Sequence, residues 1–173
     1  MLEYNCEKNP TQALIGAFRR HASGVAVITT NDAAGHPVGF TATSMTSLGA
    51  TPPLIMFSVA RGSSSWASIE SAEYIAVHTL GERNLDLAQR MAADHTQRFT
   101  PDDWERGPQN LPVFPGATAV MIAKIRDVLN VEANAVVIAE VIDGALGQED
   151  AGLLYHQRGY AIPGAKLTEP KTN

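Results

Sequence analysis

The chain has 173 residues, of which 45% are hydrophobic and 18% charged, and it carries a net charge of -5. That is the length of one domain with enough apolar chain to close a single core, and it excludes a disordered or fibrous protein. The acid excess argues against nucleic acid or an anionic membrane as the main partner, and a lone cysteine, Cys6, leaves no intrachain disulfide.

Met1 to Lys8 lack an apolar core of signal-peptide type, and no apolar run approaches the ~20 residues that span a bilayer. A cytoplasmic protein without a membrane partner is therefore expected. Residues 1–9 read as an N-terminal arm, 10–164 as one domain and 165–173 as a flexible tail. Asn9-Pro10 opens an amphipathic helix over 10–21, with Leu14, Ala17, Phe18 and His21 at helical spacing. Val25 to Thr30 is a β run, Asn31 to Gly35 is turn chemistry, and Pro37 to Thr43 reads as the returning strand of a hairpin. The hydroxyl-rich stretch Thr41 to Ser47 leads through Pro52-Pro53 into a strand from Leu54 to Ala60. Ser63 to Ser65 stand where a short helix through Trp66 and Ile69 begins. Tyr74 to Leu80 is a strand, and Asn84 caps a helix that runs to about Ala93. His95 to Gly116 holds four prolines and reads as an ordered loop or lid over the body. Two long β runs, Ala117 to Val128 and Ala135 to Ile142, precede a short strand at Leu153 to Tyr155 and a Gly/Pro turn at Gly159 to Gly164.

Six or seven strands and three helices, without regular alternation of strand and long helix, predict a mainly β (α+β) protein. The hairpins favour an antiparallel barrel or sandwich with helices packed outside.

Phosphate-binding glycine motifs and the G-x-S-x-G elbow are absent. The five histidines are scattered without i, i+3 or i, i+4 pairs, so the pattern gives no metal site. Two hydroxyl clusters stand out beside β runs. The first is Thr41, Thr43, Ser44, Thr46 and Ser47. The second is Ser58, Arg61, Ser63, Ser64 and Ser65. A serine run at a helix start gathers backbone N–H groups and hydroxyl donors, which suits a phosphate, with Arg61 adding a fixed charge. The same residues also read as an N-cap and a polar loop. Arg98-Phe99 could clamp or stack on a planar ligand, or be an exposed arginine beside one core aromatic.

Seven segments in order carry a resemblance. They are Gly24-Val-Ala-Val-Ile-Thr-Thr30, Pro37 to Ser47, Pro52 to Ser58, Arg61-Gly-Ser-Ser-Ser65, Tyr74 to Leu80, Arg98-Phe99 with Leu111-Pro-Val113, and Val136 to Val141 with Leu154 to Tyr160. From about Ala13 to Tyr160 the chain resembles the flavin reductase-like family, the NAD(P)H:flavin oxidoreductases that serve two-component monooxygenases. The resemblance implies an antiparallel Greek-key split β-barrel with a few peripheral helices, and a homodimer that binds FMN or FAD near its interface. It implies NADH or NADPH as hydride donor and a partner monooxygenase component. Thr41, Ala42, Thr43, Ser44 and Ser47 would contact the ring and ribityl chain. Ser58, Arg61, Ser64 and Ser65 would hold the phosphate. His78 would lie near the flavin and Arg98 would reach its phosphate or tail. Where the family often carries Gly-Asp-His, this chain has Glu132-Ala133-Asn134. Asn134 is thus a candidate nicotinamide-site residue that can hydrogen-bond but cannot carry charge. The alternatives are a non-catalytic flavin-binding protein, or a flavin-dependent reductase of a small organic substrate.

Overall fold

A computed structural model describes residues 9–164. The expected arm, apart from Asn9, and the expected tail lie outside the described residues. In chain order the elements are α1 (Pro10–Arg20), β1 (Ser23–Gly24), β2 (Ala26–Asn31), β3 (Pro37–Ala42), β4 (Thr46–Ala50), β5 (Pro53–Ala60), α2 (Trp66–Ser71), β6 (Tyr74–Thr79) and α3 (Leu85–Ala92). Then come β7 (Glu105–Arg106), β8 (Pro112–Val113), β9 (Ala119–Val131), β10 (Asn134–Leu146), β11 (Leu154–His156) and β12 (Gly159–Ala161).

Seven strands form one antiparallel sheet in the order β3-β2-β6-β9-β10-β5-β4. β3 and β4 are its opposite edges, yet only Thr43, Ser44 and Met45 join them. A flat sheet would hold those edges about 29 Å apart at ~4.8 Å per strand. The link of three residues reaches about 14 Å. The sheet therefore curls until its edges meet, and the result is a barrel with a seam. The Ser44 hydroxyl ties the seam: its Oγ accepts from the Ser58 N–H at 3.0 Å and donates to the Ser58 carbonyl at 3.2 Å.

Alternation follows from the curl. Ile55, Phe57 and Val59 on β5 and Ala135, Val137 and Ala139 on β10 point inward, into a core shared with Ile28, Ile75 and Val77. β2 is buried on both faces because a second cluster packs outside it: Val27, Leu87, Met91 and Phe114 meet beneath α3. That explains why its sequence is a continuous β run rather than an alternating one.

Four expectations change. β4 is a strand of its own that begins at Thr46, inside the hydroxyl-rich stretch, and runs on to Ala50. β9 and β10 run 13 residues each and form one long hairpin. The predicted turn at Gly159 to Gly164 contains β12, which pairs with β11. Asn84 stands at the N-cap of α3, but its side chain makes no bond to the helix; its Oδ1 accepts from the Gly81 N–H and its Nδ2 donates to the Gly116 carbonyl, within a 3-10 turn that precedes the helix. The region 95–116 is an ordered cover over β2 and β6, as expected. β7 pairs with β8, Thr29 donates to the Pro112 carbonyl, and Phe99 stacks on Phe114.

His78 is a core residue, which corrects its placement beside a ligand. It is fully buried on β6. Its Nδ1 lies 3.1 Å from the Val27 carbonyl and its Nε2 lies 3.1 Å from the Phe114 N–H. The carbonyl requires a donor and the N–H an acceptor, so the ring is the neutral Nδ1–H tautomer. Its ring locks the outer cover to the sheet. Burial outweighs the Val27 hydrogen bond and pushes its pKa down to about 4.

Between about pH 6.5 and 4 the unfolded chain binds a proton at this position that the folded chain does not. Stability therefore falls as pH drops through that window, by up to about 3 kcal/mol, and no further below it. A melting-temperature series from pH 7 to 4 should show this limb. His78→Leu should flatten it while lowering neutral-pH stability by about 1–3 kcal/mol, because the Phe114 N–H and Val27 carbonyl lose their partner. An unchanged acid limb in that variant would mean that His78 does not generate it.

Candidate functional site

The seam opens into two adjoining cavities of about 510 and 330 Å3, which share Thr43 and Ser58. The larger is walled on the sheet side by Ser44, Met56 and Val136, and on the other by Phe18 and His21. The smaller runs from Thr41 and Ala42 to Ser63, Ser64, Ser65 and Arg98. Together they make one groove along the seam, lined by hydroxyls of both sequence clusters.

Local folding explains the lining. The three linking residues leave strand geometry, so the N–H groups of Thr43, Ser44 and Met45 have no partner among the described residues. Such free amides suit the edge of a flat hydrogen-bonding ring. Thr41 is anchored instead, donating to the Ala88 carbonyl at 2.6 Å. At the other end the Ser63 N–H closes a turn on the Ala60 carbonyl, while the Ser64 and Ser65 N–H groups have no partner among the described residues. α2 has only six residues, so its dipole adds little, and the convergent N–H and hydroxyl donors carry the anion argument.

The two arginines take different roles. Arg98 lies at the groove's end, where Nη1 donates to the Gly39 carbonyl at 2.7 Å and to Ser65 Oγ at 3.2 Å. Its Nε and Nη2 donate to the Ala93 carbonyl. Partial burial pulls its pKa down from the usual arginine value. It bridges β3, the start of α2 and the segment after α3, and forms the wall between the smaller cavity and a further space of about 280 Å3. Gly39 lets β3 pack closely, because a Cβ there would meet the Met91 methyl at 2.5 Å and the Ile28 carbonyl at 3.0 Å. Arg61 lines neither cavity. Its Nη1 donates to the Glu132 carbonyl and its guanidinium lies over Trp66 at 5.8 Å. It pins the β9–β10 turn, where Glu132 is in the left-handed region at φ 50.

The predicted residues therefore divide. Thr41, Ala42, Thr43, Ser44, Ser58, Ser64, Ser65 and Arg98 come together in the groove. Ser47 does not: it sits exposed on β4, beyond the seam, opposite Ile55. His78 is in the core and Arg61 beside the turn. Asn134 begins β10 opposite Ala60, on the strand face that carries Val136, but lines neither cavity. Sequence reasoning missed Phe18 and His21. Both were read only as helical spacing, and nothing local shows that the end of α1 faces the seam.

The groove fits a flavin nucleotide. It has free amides at the seam, hydroxyl and N–H donors at one end, and no carboxylate among the described residues on either lining. Among the described residues no three His, Cys, Asp or Glu side chains come together to hold a metal.

The flavin reductase like domain matches residues 18–163. An NADH:FMN oxidoreductase of Rhodococcus qingshengii is 38% identical over 152 residues, covering 85% of this chain and 79% of the relative. A flavin reductase domain protein from Arthrobacter sp. FB24, known by crystal structure, superposes with a TM-score of 0.87 at 44% identity, covering 92% of this chain and 99% of that one. A flavin-dependent monooxygenase reductase subunit, HsaB, of Rhodococcus jostii is 29% identical over 86% of this chain and 74% of its own.

The bonding of the two arginines sets a contrast. Arg98→Ala should lower stability by about 1–3 kcal/mol through its lost hydrogen bonds, a melting shift of several degrees without any ligand. Arg61→Ala, which loses one hydrogen bond and the Trp66 contact at an exposed site, should cost less, about 0.5–1 kcal/mol. Calorimetry of both variants checks this, and equal losses would mean that Arg98 does not hold the wall.

Proposed function

We infer the activity from membership and groove together: the chain belongs to the flavin reductase like domain family and is an NAD(P)H:flavin oxidoreductase that uses FMN or FAD. The observation that carries the assignment of residues is the continuity of the groove from free amides at the seam to the Ser64 and Ser65 N–H groups and the Ser64 hydroxyl, which have no partner among the described residues.

A bound flavin supplies the hydride-accepting ring, which is the demanding chemistry of the reaction. The chain's task is to bind, orient and exclude water. The Thr43, Ser44 and Met45 amides would meet the polar edge of the ring. Thr41, Ala42 and Ser58 would line the ribityl chain, and Ser64 and Ser65, backed by Arg98, would hold the phosphate. Arg98 retains one Nη2 hydrogen beyond its protein bonds for this purpose. No acid–base dyad among the described residues lines the groove, and hydride transfer between a nicotinamide and a flavin asks for positioning rather than proton relay.

Two finer statements belong to the same reading. A partner monooxygenase is supported by relatives that are reductase subunits of such enzymes. A homodimer is supported by the long hairpin: β5 pairs with β10 only as far as Glu140, and beyond it Ile142 and Leu146 stand exposed on an edge with no strand partner among the described residues. No helix among the described residues is long and apolar enough to cross a membrane. A cytoplasmic location follows from the use of the NAD(P)H pool.

Purified protein should oxidise NADH or NADPH when FMN or FAD is added. Ser64→Ala should weaken FMN by about 1.5–3 kcal/mol, as for a lost hydrogen bond to a charged group, and leave riboflavin unchanged. Equal weakening of both ligands, measured by fluorescence titration, would move the phosphate away from Ser64. A monomeric mass by light scattering with flavin bound would remove the dimer.

A further inference from the structure

A cavity of about 310 Å3 continues from the larger seam cavity, and Phe18, His21, Ser23 and Thr43 border both. Apart from Thr43, none of the predicted site residues lines it. Its far wall carries two arginines, Arg19 and Arg158, and no carboxylate among the described residues lines it. That composition stands out in a chain of net charge -5.

Tertiary contacts bring the two arginines together. Arg19 is in the last turn of α1, and Arg158 is in the turn between β11 and β12. The Gln157 N–H donates to the Arg19 carbonyl at 3.1 Å, which draws that turn against the helix end. Gln157 and Arg158 both hold left-handed backbone, at φ 52 and 66. Arg61, Arg83, Arg90, Arg98, Arg106 and Arg126 each donate to protein acceptors. The side chains of Arg19, Arg20 and Arg158 donate to none among the described residues, and of these three Arg19 and Arg158 line the cavity. Complementing the α1 dipole accounts for Arg19 and Arg20 at the helix end. It does not account for Arg158, which lines the same space from another element. At the passage between the cavities, Phe18 is 65% exposed and stands edge-on to His21 at 5.8 Å.

We propose that this basic cavity binds phosphate of the pyridine dinucleotide donor, with Phe18 and His21 at the passage through which its nicotinamide end enters the seam cavity. The proposal rests on the reductase reading and moves donor recognition from Asn134 to the end of α1. Guanidinium forks match phosphate oxygens, and an exposed aromatic offers a face for a planar ring. Two phosphates qualify: the pyrophosphate that NADH and NADPH share, and the 2′-phosphate that only NADPH carries.

The test titrates NAD+ and NADP+ by calorimetry into the full chain, wild type and the double variant Arg19→Gln/Arg158→Gln, and so does not depend on turnover. The variant should bind at least one dinucleotide roughly tenfold more weakly, with FMN affinity unchanged. A larger loss for NADP+ assigns the 2′-phosphate to the cavity; equal losses assign the pyrophosphate. Added salt should weaken the wild type more than the variant. Dinucleotide binding as tight in the variant as in the wild type, or none in the wild type, overturns the proposal. A wild type that binds dinucleotide through these arginines, yet oxidises neither NADH nor NADPH with added flavin, overturns the reductase reading and supports the cavity.

Discussion

Three residues between the two edge strands determine much of this molecule. Because Thr43, Ser44 and Met45 must span from one edge of a seven-stranded sheet to the other, the sheet cannot lie flat. Curling closes the core and leaves a seam where strand pairing stops. At that seam backbone amides lack the neighbours a sheet would supply, and small hydroxyl side chains leave room beside them. The constraint that makes the barrel therefore also makes the groove, and the Ser44–Ser58 bonds hold both in register.

The rest of the structure braces that seam from outside. α3 and the cover over 95–116 bury the second face of β2, and His78 connects the cover to the strand beneath it. Arg98 closes the groove's end by joining three separate segments. Arg83 holds the crossing from β10 to β11 by bonds to Gln148, Glu149 and Asp150. These guanidiniums are occupied by the protein itself. The contrast with Arg19 and Arg158 separates positive charge spent on architecture from positive charge left for a ligand.

Much of this was legible in the residues. β-branched composition and turn residues marked six of the seven strands of the large sheet, because those signals are local consequences of backbone sterics and burial. The serine run after β5 marked a donor cluster for the same reason, since adjacent residues deliver adjacent N–H groups. What failed was anything that depends on a partner distant in sequence. β4 was missed because TSLGA has weak local preference and becomes a strand by pairing with β5. The family resemblance placed Arg61 and His78 at the ligand, Arg61 also through the serine run beside it. Their own side chains turn to Glu132 and to Val27 and Phe114.

By itself, then, the sequence determined a mainly β domain, the order of its strands along the chain, and the two hydroxyl clusters that line the groove, because each is set by residues within a few positions of one another. Tertiary structure alone decided which edges meet, which arginine walls the groove, and that Phe18, His21, Arg19 and Arg158 share a space. Those facts depend on a sheet that curls to satisfy a three-residue link and brings the end of α1 and the β11–β12 turn to the same side of the seam. No local pattern encodes that closure, because it is a property of the whole sheet.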